Sequence, residues 1–535
     1  MIENAIFFTL LFLFVFLWYR KRKNDMTFFE RLNIPGPKPH FITGNLSEYS
    51  EKGFAKCQLE WTEKYGNIVG YYLGAKPILL VSDSDFWKLV QIKDFENFVD
   101  RELFISDGGI PHKYGRETLS SKKGMQWKNA RSILSPGFST NKLKQTVPLV
   151  EDAIKVFLDI IWKKANNKEE FNIFPMYHTL TMDIIGRTAF GVRTNIQKNP
   201  EDIFVKNVKY ISSDTVSSKT VWLILCFKEL EVILSILRII IDKIRGFFGL
   251  PSMELLFKNL NDVIQSRKMN KNFRQDLLQI MLDANISSEE LQNITGEKLT
   301  ASLNPDNISK SSTVKQTSNS TSKLHYLTNP EIMANSAVFM VAGYETTGAT
   351  LSFVTHLLMN YPEIQEKVRK EINVVLENEE LSYSAVSKMQ YLNQVISESL
   401  RLYPPVLTVT TRKVGKTFTY KNLTIPKDLA LQQAIWKSQR DPEIWQDPES
   451  FDPDRFSPER KDSIDPYAYQ PFGNGPRNCI GMRFAFLVMK MILASLLRSF
   501  RFVPGENTEK DPPQLEFRLF QMKPLNGINL KMVSV

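Results

Sequence analysis

The stretch PFGNGPRNCIGMRFAF, from Pro471 to Phe486, places Cys479 between a loop rich in glycine and proline and a predicted helix. At the start of a helix, unpaired amides and the helix dipole favour a thiolate over a thiol. Gly475 and Gly481 leave space for a bulky planar group, and Arg477 supplies a cation. A lone cysteine is more often a small buried hydrophobe, so the stretch alone leaves both interpretations open.

The remaining cysteines and histidines do not form the more familiar metal sites. The chain has 535 residues and three cysteines, and Cys57 and Cys226 lie far from Cys479, which excludes CxxC spacing and disfavours a disulfide framework. Its five histidines show neither HxxH nor HExxH spacing. The net charge of +10 is spread along the chain without a basic stripe, so no nucleic-acid partner is expected.

The N-terminus begins with an almost wholly apolar run over residues 5–19, and basic residues 20–23 follow directly. A signal peptide has a similar core, but no A-x-A-like site follows and the charges lie on the C-terminal side. The positive-inside rule keeps that basic flank in the cytoplasm. We therefore predict a membrane anchor over residues 1–24, a proline-rich linker over residues 25–40 and one large domain over residues 41–535.

Within that domain the hydrophobic periodicity is mostly helical, with a hairpin predicted over residues 66–83. Residues 284–329 are rich in Ser, Thr and Asn, which predicts a flexible surface insertion. Residues 221–250 are more apolar than a surface helix requires. For that segment two interpretations stay open, namely core packing and a helix lying on a membrane.

A helix is predicted over residues 330–360, because Asn329-Pro330-Glu331 combines a cap residue, an early proline and an acid. Its centre, AGYETTGAT over residues 342–350, holds two glycines and three threonines. Such a run favours a kink, close packing against another helix or a groove beside a ligand. In a groove, Glu345 and Thr346 would offer an acid and an alcohol for proton transfer.

Two further motifs place opposite charges close together. Glu398 and Arg401 in ESLR lie three residues apart on a predicted helix, where a surface ion pair is the ordinary outcome. A buried pair would need further hydrogen bonds. Arg455 in FDPDRF follows a proline-set turn and is the expected third partner.

The pattern FxxGxRxCxG, from Phe472 to Gly481, resembles the haem-binding signature of the cytochrome P-450 family. AGYETT, ESLR and FDPDRF resemble its other motifs in the same order, and WKNAR, from Trp127 to Arg131, resembles its WxxxR helix. The resemblance covers nearly the whole chain and is strongest to the microsomal branch with the 3A drug-metabolising enzymes and thromboxane synthase. It implies a mainly α cytochrome P-450 fold with a small β region, preceded by the N-terminal membrane anchor.

The resemblance also implies haem b as the cofactor, with Cys479 as the axial thiolate ligand of its iron. Thr346 and Glu345 would manage dioxygen and protons on the other face. Cofactor contacts are implied for Phe472, Gly475, Gly481, Trp127, Arg131, Arg412, Arg477 and Arg101. Glu398, Arg401 and Arg455 would form a structural triad behind the haem.

We accordingly expect a haem-thiolate monooxygenase that inserts one oxygen atom from O2 into a lipophilic substrate. Its electrons would come from NADPH through a separate reductase, with cytochrome b5 as a further partner, because the chain shows no GxGxxG fingerprint. The reductase would dock on basic residues near the cysteine, namely Lys128, Lys142, Lys144, Arg483 and Lys490.

The expected location is the endoplasmic reticulum membrane, with membrane lipid as a partner and the catalytic domain in the cytosol. The substrate pocket is expected near residues 101–125, Phe339, Ala342, Val406 to Thr408 and Leu519 to Met522. Two other functions stay open. One is an isomerase that rearranges a lipid peroxide without O2 or electrons, and the other is a non-catalytic haem-binding protein.

Overall fold

A computed structural model describes residues 2–102, 114–211, 219–269, 276–283, 285–287, 324–408, 410–517 and 521–535. The α-helices are α1 (Ile2–Met26), α2 (Phe28–Arg31), α3 (Leu46–Lys52), α4 (Phe54–Tyr65), α5 (Ser84–Lys88), α6 (Gly124–Leu134), α7 (Thr140–Asn166), α8 (Phe174–Ala189), α9 (Ile203–Lys209), α10 (Lys219–Cys226), α11 (Glu231–Phe247), α12 (Met253–Met269), α13 (Leu277–Asp283), α14 (Asn329–Asn360), α15 (Pro362–Leu376), α16 (Tyr383–Lys388), α17 (Gln390–Leu402), α18 (Ile435–Ser438), α19 (Pro458–Lys461) and α20 (Met482–Ser499).

The strands are β1 (Ile68–Leu73), β2 (Lys76–Val81), β3 (Phe171–Asn172), β4 (Asn285–Ser287), β5 (Leu324–Tyr326), β6 (Thr411–Lys413), β7 (Phe418–Tyr420), β8 (Leu423–Ile425), β9 (Ala430–Gln433), β10 (Phe500–Val503), β11 (Leu515–Phe517), β12 (Met522–Pro524) and β13 (Asn529–Ser534). The largest sheet has the order β1-β2-β9-β6, with β2 and β9 parallel and the other pairs antiparallel. Gly74 turns the β1–β2 hairpin at a φ of 63°, which confirms the hairpin predicted over residues 66–83.

The main hydrophobic core lies among α7, α8, α14, α15, α17 and α20. A second cluster joins α6, α12 and α13 to the N-terminal half of α14. The helix α14 therefore belongs to both clusters, and its central turns lie where they meet.

The start of α14 confirms the predicted helix, but the cap is Thr328 and not Asn329. The Glu331 amide donates to the Thr328 hydroxyl at 3.4 Å, and the Thr328 amide donates to the Glu331 carboxylate at 2.6 Å. This reciprocal pair is a capping box, which supplies hydrogen-bond partners that the first helical turn lacks.

The helix α14 continues without a break across residues 342–350. A Cβ at Gly343 would lie within 3.0 Å of Ile185, and a Cβ at Gly348 would lie within 3.0 Å of His178. Both of those neighbours belong to α8. The two glycines therefore allow close packing of α14 on α8, which is one of the three interpretations raised by the sequence.

The apolar side chains of α1 between Ile6 and Leu17 are exposed, and α1 is long and apolar enough to cross a membrane. The helix continues through the basic run, where Arg22 is buried and donates to the Phe41 carbonyl at 2.9 Å. Phe29 and Ile34 are buried in a cluster with side chains of β1 and β2. The segment predicted as a linker over residues 25–40 thus packs on the domain and does not form a free spacer, while the boundaries themselves stay a prediction.

The insertion predicted over residues 284–329 has a paired base. Residues 285–287 and 324–326, near its two ends, form the antiparallel strands β4 and β5, with Asn285 opposite Tyr326. The part from 288 to 323 lies outside the described residues.

Candidate active site

A cavity of about 580 Å³ lies between α14 and the segment that leads into α20. Ala342 and Thr346 of α14 line it, and so do Cys479 and Gly481. Of the predicted pocket residues, Phe339, Ala342, Leu119 and Ser120 lie in its wall. Val406 to Thr408 and Met522 do not, so that part of the prediction is wrong for this cavity, and Leu519 lies outside the described residues.

Cys479 lies in a loop that hydrogen bonds hold in place. Its amide donates to the Phe472 carbonyl at 2.8 Å, and α20 begins three residues later at Met482. Cys479 is exposed, and it lies in the cavity wall. Burial raises the pKa of the Cys479 thiol, while the Gly481 amide and the charge of Arg131 act in the opposite direction. A metal ion on the sulfur would remove the proton outright.

Gly475 and Gly481 of this loop differ in the space around them. At Gly481 the nearest atom to a Cβ would be the Cys479 sulfur at 4.0 Å, so this position is open. Gly475 has a φ of 69°, and a Cβ there would lie within 3.0 Å of the Gln91 carbonyl. Gly475 therefore allows a close backbone contact outside the cavity, and its contact with a cofactor stays a prediction.

Most of the aromatic and arginine residues that the sequence singled out line the same cavity, but Arg412 is not among the lining residues. Phe472 and Trp127 line it, together with Arg101, Arg131 and Arg477. Arg131 of α6 donates to the Asn478 carbonyl at 3.0 Å and to its side-chain oxygen at 2.8 Å. Asn478 was missed at the sequence level, although its polar side chain inside the cysteine loop was a signal for such a role.

Arg477 lies with its guanidinium 4.1 Å from the centre of the Trp127 ring. It donates to the carbonyls of Val99 at 2.8 Å, Leu119 at 3.2 Å and Lys122 at 2.7 Å. These bonds use three of the five N–H groups of a guanidinium, and Arg477 also lines the cavity.

Arg131, Arg412 and Arg477 are buried and Arg101 is half-buried, and the four form a cluster of positive charge. Within the described ranges, the Nε atoms of Arg101, Arg131 and Arg412 have no hydrogen-bond partner. Among the described residues, one carboxylate lies within 4.0 Å of any of these four guanidinium groups. It is Asp100, which lies 4.0 Å from Arg477. Burial, and then the charge of Arg101, lower the pKa of Arg412 to about 9.

Such a cluster favours an anionic ligand with several acceptor oxygens, because buried charges and donors otherwise lack compensation. The edge of haem b carries two carboxylates of this kind. A thiol on the cavity wall, open space at Gly481 and unused guanidinium donors therefore fit the cofactor that the sequence implies.

Thr346 lies on the α14 side of the cavity, where its hydroxyl donates to the Ala342 carbonyl at 2.7 Å. The lone pairs of that hydroxyl stay available to accept a hydrogen bond from a ligand or water. Glu345 is half-buried and is not among the residues that line this cavity.

Glu398 and Arg401 are fully buried, so the surface-pair interpretation is wrong. The Arg401 guanidinium donates to both carboxylate oxygens of Glu398 at 2.7 Å, and the Arg455 Nε donates to one of them at 3.3 Å. The three side chains that the sequence proposed as a triad therefore meet. They lie away from the cavity wall.

The proposed docking residues are only partly available. Lys490 is buried and donates to the Val386 carbonyl at 3.2 Å, and Lys142 lines the cavity. Arg483 donates to the hydroxyls of Thr140 and Tyr383. Lys490 is therefore too buried to belong to an open basic surface, while docking on the other four residues stays a prediction.

The chain matches the family model described as Cytochrome P450 over residues 34–305 and 302–530. It is 34% identical over 484 residues to cytochrome P450 3A27 of Oncorhynchus mykiss, covering 90% of this chain and 86% of the relative. It is 32% identical to cytochrome P450 3A14 of Cavia porcellus, covering 98% and 96%. Thromboxane-A synthase of Mus musculus is also 32% identical, with 94% and 92% covered. The chain belongs to the cytochrome P450 family.

Proposed function

We propose that this chain is a haem-thiolate monooxygenase that inserts one oxygen atom of O2 into a lipophilic substrate. Electrons would come from NADPH through a separate reductase, and cytochrome b5 is a further proposed partner. Proteins of this family bind haem b through a cysteine thiolate, and Cys479 is the residue in the matching position. The observation that carries the proposal is that the Thr346 hydroxyl and the Cys479 thiol line one cavity.

Haem bound to Cys479 would supply the chemistry of oxygen activation, which an axial thiolate favours. The protein contributes the groups around it. Thr346 can hold a water or a substrate oxygen through its free lone pairs, and Glu345 beside it can exchange protons with solvent. Phe138, Phe339 and Phe484 add apolar wall, which favours a lipophilic substrate.

The test begins with the carbon monoxide difference spectrum of the reduced chain, with and without Cys479→Ala. The wild type should show the red-shifted thiolate band, and its absence would refute the proposal. A reductase-coupled assay with labelled O2 should then place label in the product. Conversion of a lipid peroxide without NADPH would instead support an isomerase, and haem binding without any product would support a non-catalytic protein.

Thr346→Ala tests proton handling on the distal side. We expect product formation to fall by about 100-fold while NADPH oxidation continues, since general acid–base groups contribute about 10²–10⁴ in rate. Thr350→Ala is the matched control, because the Thr350 hydroxyl makes the same bond one turn later, to the Thr346 carbonyl at 2.8 Å. Equal losses in the two variants would contradict the assignment.

We further propose that the chain contacts the membrane at α11 as well as at α1. Exposed apolar side chains cover the outer side of α11, from Val232 at 69% exposure to Phe247 at 85%. Two of its charged residues, Arg238 and Asp242, are buried, at 8% and 6% exposure, and Lys243 is exposed. An ordinary surface helix has the reverse arrangement.

Contacts inside the protein hold α11 in this rotation. The Asp242 carboxylate accepts hydrogen bonds from the amides of Met253 and Glu254, at 2.9 and 3.0 Å, at the start of α12. The Arg245 guanidinium lies 4.4 Å from the Tyr210 ring centre. The buried Asp242 fixes which side of α11 faces the protein, so the exposed apolar side chains face away from it.

A bilayer is the occupant proposed, because this surface continues into the end of the anchor helix. Trp18 of α1 stacks on Phe227 with ring centres 6.3 Å apart, and Lys21 lies 3.7 Å from Glu229. Of the two interpretations raised for residues 221–250, core packing describes Val221 and Leu225 of α10, whereas membrane contact describes α11.

A fluorophore at Ile240→Cys in the full chain should be quenched by lipid-chain quenchers in vesicles. Val374→Cys on α15 is the exposed control, at 72% exposure against 48% for Ile240, and should not be quenched. Equal quenching at the two positions would refute the contact. Protease protection in microsomes tests the proposed cytosolic side of the catalytic domain in the endoplasmic reticulum.

A further inference from the structure

Lys122 is a buried cation beside the first turn of α14. Its side chain is 6% exposed, and its Nζ lies 2.8 Å from Glu117 and 2.7 Å from Glu331. Burial acts to lower the pKa of Lys122, but the hydrogen bonds to Glu117 and Glu331 outweigh burial and raise it. Lys122 is therefore charged, and it connects α14 with the segment that runs from Tyr114 to Lys123.

Asn335, one turn further along α14, makes a second connection to the same segment. Its side-chain oxygen accepts a hydrogen bond from the Leu119 amide at 2.8 Å, and its side-chain nitrogen donates to the Glu331 carbonyl at 2.8 Å. The backbone from residue 117 to 122 is thus held on α14 at two points.

The other side of this segment faces the cysteine loop. The carbonyls of Leu119 and Lys122 both accept hydrogen bonds from Arg477, which lies two residues before Cys479. The position of the Arg477 guanidinium is therefore set by carbonyls whose own position depends on Lys122 and Asn335. Lys122 itself is not among the residues that line the cavity.

We propose that Lys122 is a positioning residue for haem, which acts by holding the carbonyls that direct Arg477 toward the haem edge. The inference rests on the proposed contact between Arg477 and a haem carboxylate. A buried ion triad gives little net stability, because dehydration of the charges offsets their attraction. The defined geometry of the triad instead fixes the position of the carbonyls that bind Arg477.

The test measures haem retention by the loaded full chain, as transfer to excess apomyoglobin, together with resonance Raman bands of the haem carboxylate groups. Lys122→Met should release haem about 10-fold to 100-fold faster, as losses of supporting contacts around bound metals do. The Raman bands should shift as well. The carbon monoxide band should be kept, because Cys479 is unchanged.

Arg369→Met is the matched control for general destabilisation. Arg369 is also buried, lies 2.9 Å from Glu366 and donates to the carbonyl of Phe500 at 2.8 Å, but it lies on α15 and does not line the cavity. This variant should change haem release by less than about twofold. An equal effect of the two variants would overturn the proposal.

Two further variants cover a failure of Lys122→Met to fold. Glu117→Gln weakens one contact of Lys122 at a more accessible side chain, so it should speed haem release by a smaller factor than Lys122→Met does. Haem release at the wild-type rate in this variant would overturn the proposal. Combining Lys122→Met with Glu117→Gln and Glu331→Gln removes all three charges, and Gln still serves the capping box. If this triple variant released haem at the wild-type rate, the effect of Lys122→Met would come from the two carboxylates left without a cation. That result would also overturn the proposal. These assays need neither substrate nor reductase, so their outcome is separate from that of the proposed reaction.

Discussion

Glu398→Gln is expected to be among the most destabilising single changes in the described part of the chain. The Glu398 carboxylate is fully buried and accepts two hydrogen bonds from Arg401, one from Arg455 and one from the Asp452 amide at 3.1 Å. Gln removes the negative charge and leaves two buried guanidinium groups without a counter-charge. Breaking a buried pair in this way costs about 3–5 kcal/mol.

Arg455→Met should cost less than Glu398→Gln. Glu398 keeps its two-pronged bond to Arg401, while the partners that Arg455 leaves are the Asp447 carbonyl and the Ser450 hydroxyl. Leaving such groups without a donor costs about 1–3 kcal/mol. The order of the two losses is therefore a second part of the prediction.

The assay is urea unfolding of the haem-loaded chain, followed by circular dichroism, with midpoint and slope compared among variants. Glu366→Gln is the matched control, since Glu366 also binds two arginines, Arg369 and Arg501, but is 41% exposed. Exposed pairs contribute about 0–1 kcal/mol. If Glu398→Gln cost no more than Glu366→Gln, the reasoning from burial would be refuted.

Two other predictions concern packing and pH. Gly348→Ala should cost about 1–3 kcal/mol by overpacking, since its Cβ would lie within 3.0 Å of His178, and the same change should cost much less in a His178→Ala background in the same urea assay; an equal cost in the two backgrounds would contradict the contact. Burial acts to raise the pKa of Asp511, but hydrogen bonds from His356 and Tyr403 lower it below 3.8. The contribution of ionised Asp511 to the free energy of unfolding is therefore complete above its ordinary pKa. It is lost as pH falls through the lower pKa of the folded state. Asp511→Asn should lower the unfolding free energy at neutral pH, with a difference that narrows in acid, and a constant difference would count against this account.

Local patterns in the sequence were sufficient for much of the fold and for the central residue of the site. The hairpin at Gly74, the start of α14 and the loop before α20 follow from turn, cap and periodicity rules that act over a few residues. The roles proposed for Cys479 and Arg477 also rest on their neighbours in sequence, because the family motif lies within ten consecutive residues.

The placement of charged and apolar side chains relative to distant segments was decided only by the tertiary structure. The apolar run in residues 221–250 has the same periodicity whether its apolar side faces a core or a membrane, and the contact of Asp242 with the start of α12 selects the outward rotation. The sequence around Gly343 and Gly348 is equally consistent with a kink, a groove or a packing site. The position of α8 against the two glycines selects close packing.

Lys122 shows the physical reason most clearly. In the sequence it is one of 68 basic residues and has the pattern of a solvated charge. Its burial depends on Glu331, more than two hundred residues away, and on the Arg477 guanidinium beyond it. Periodicity reports which side of an element is apolar, but the free energy of burying a charge depends on the partners that the fold brings to it.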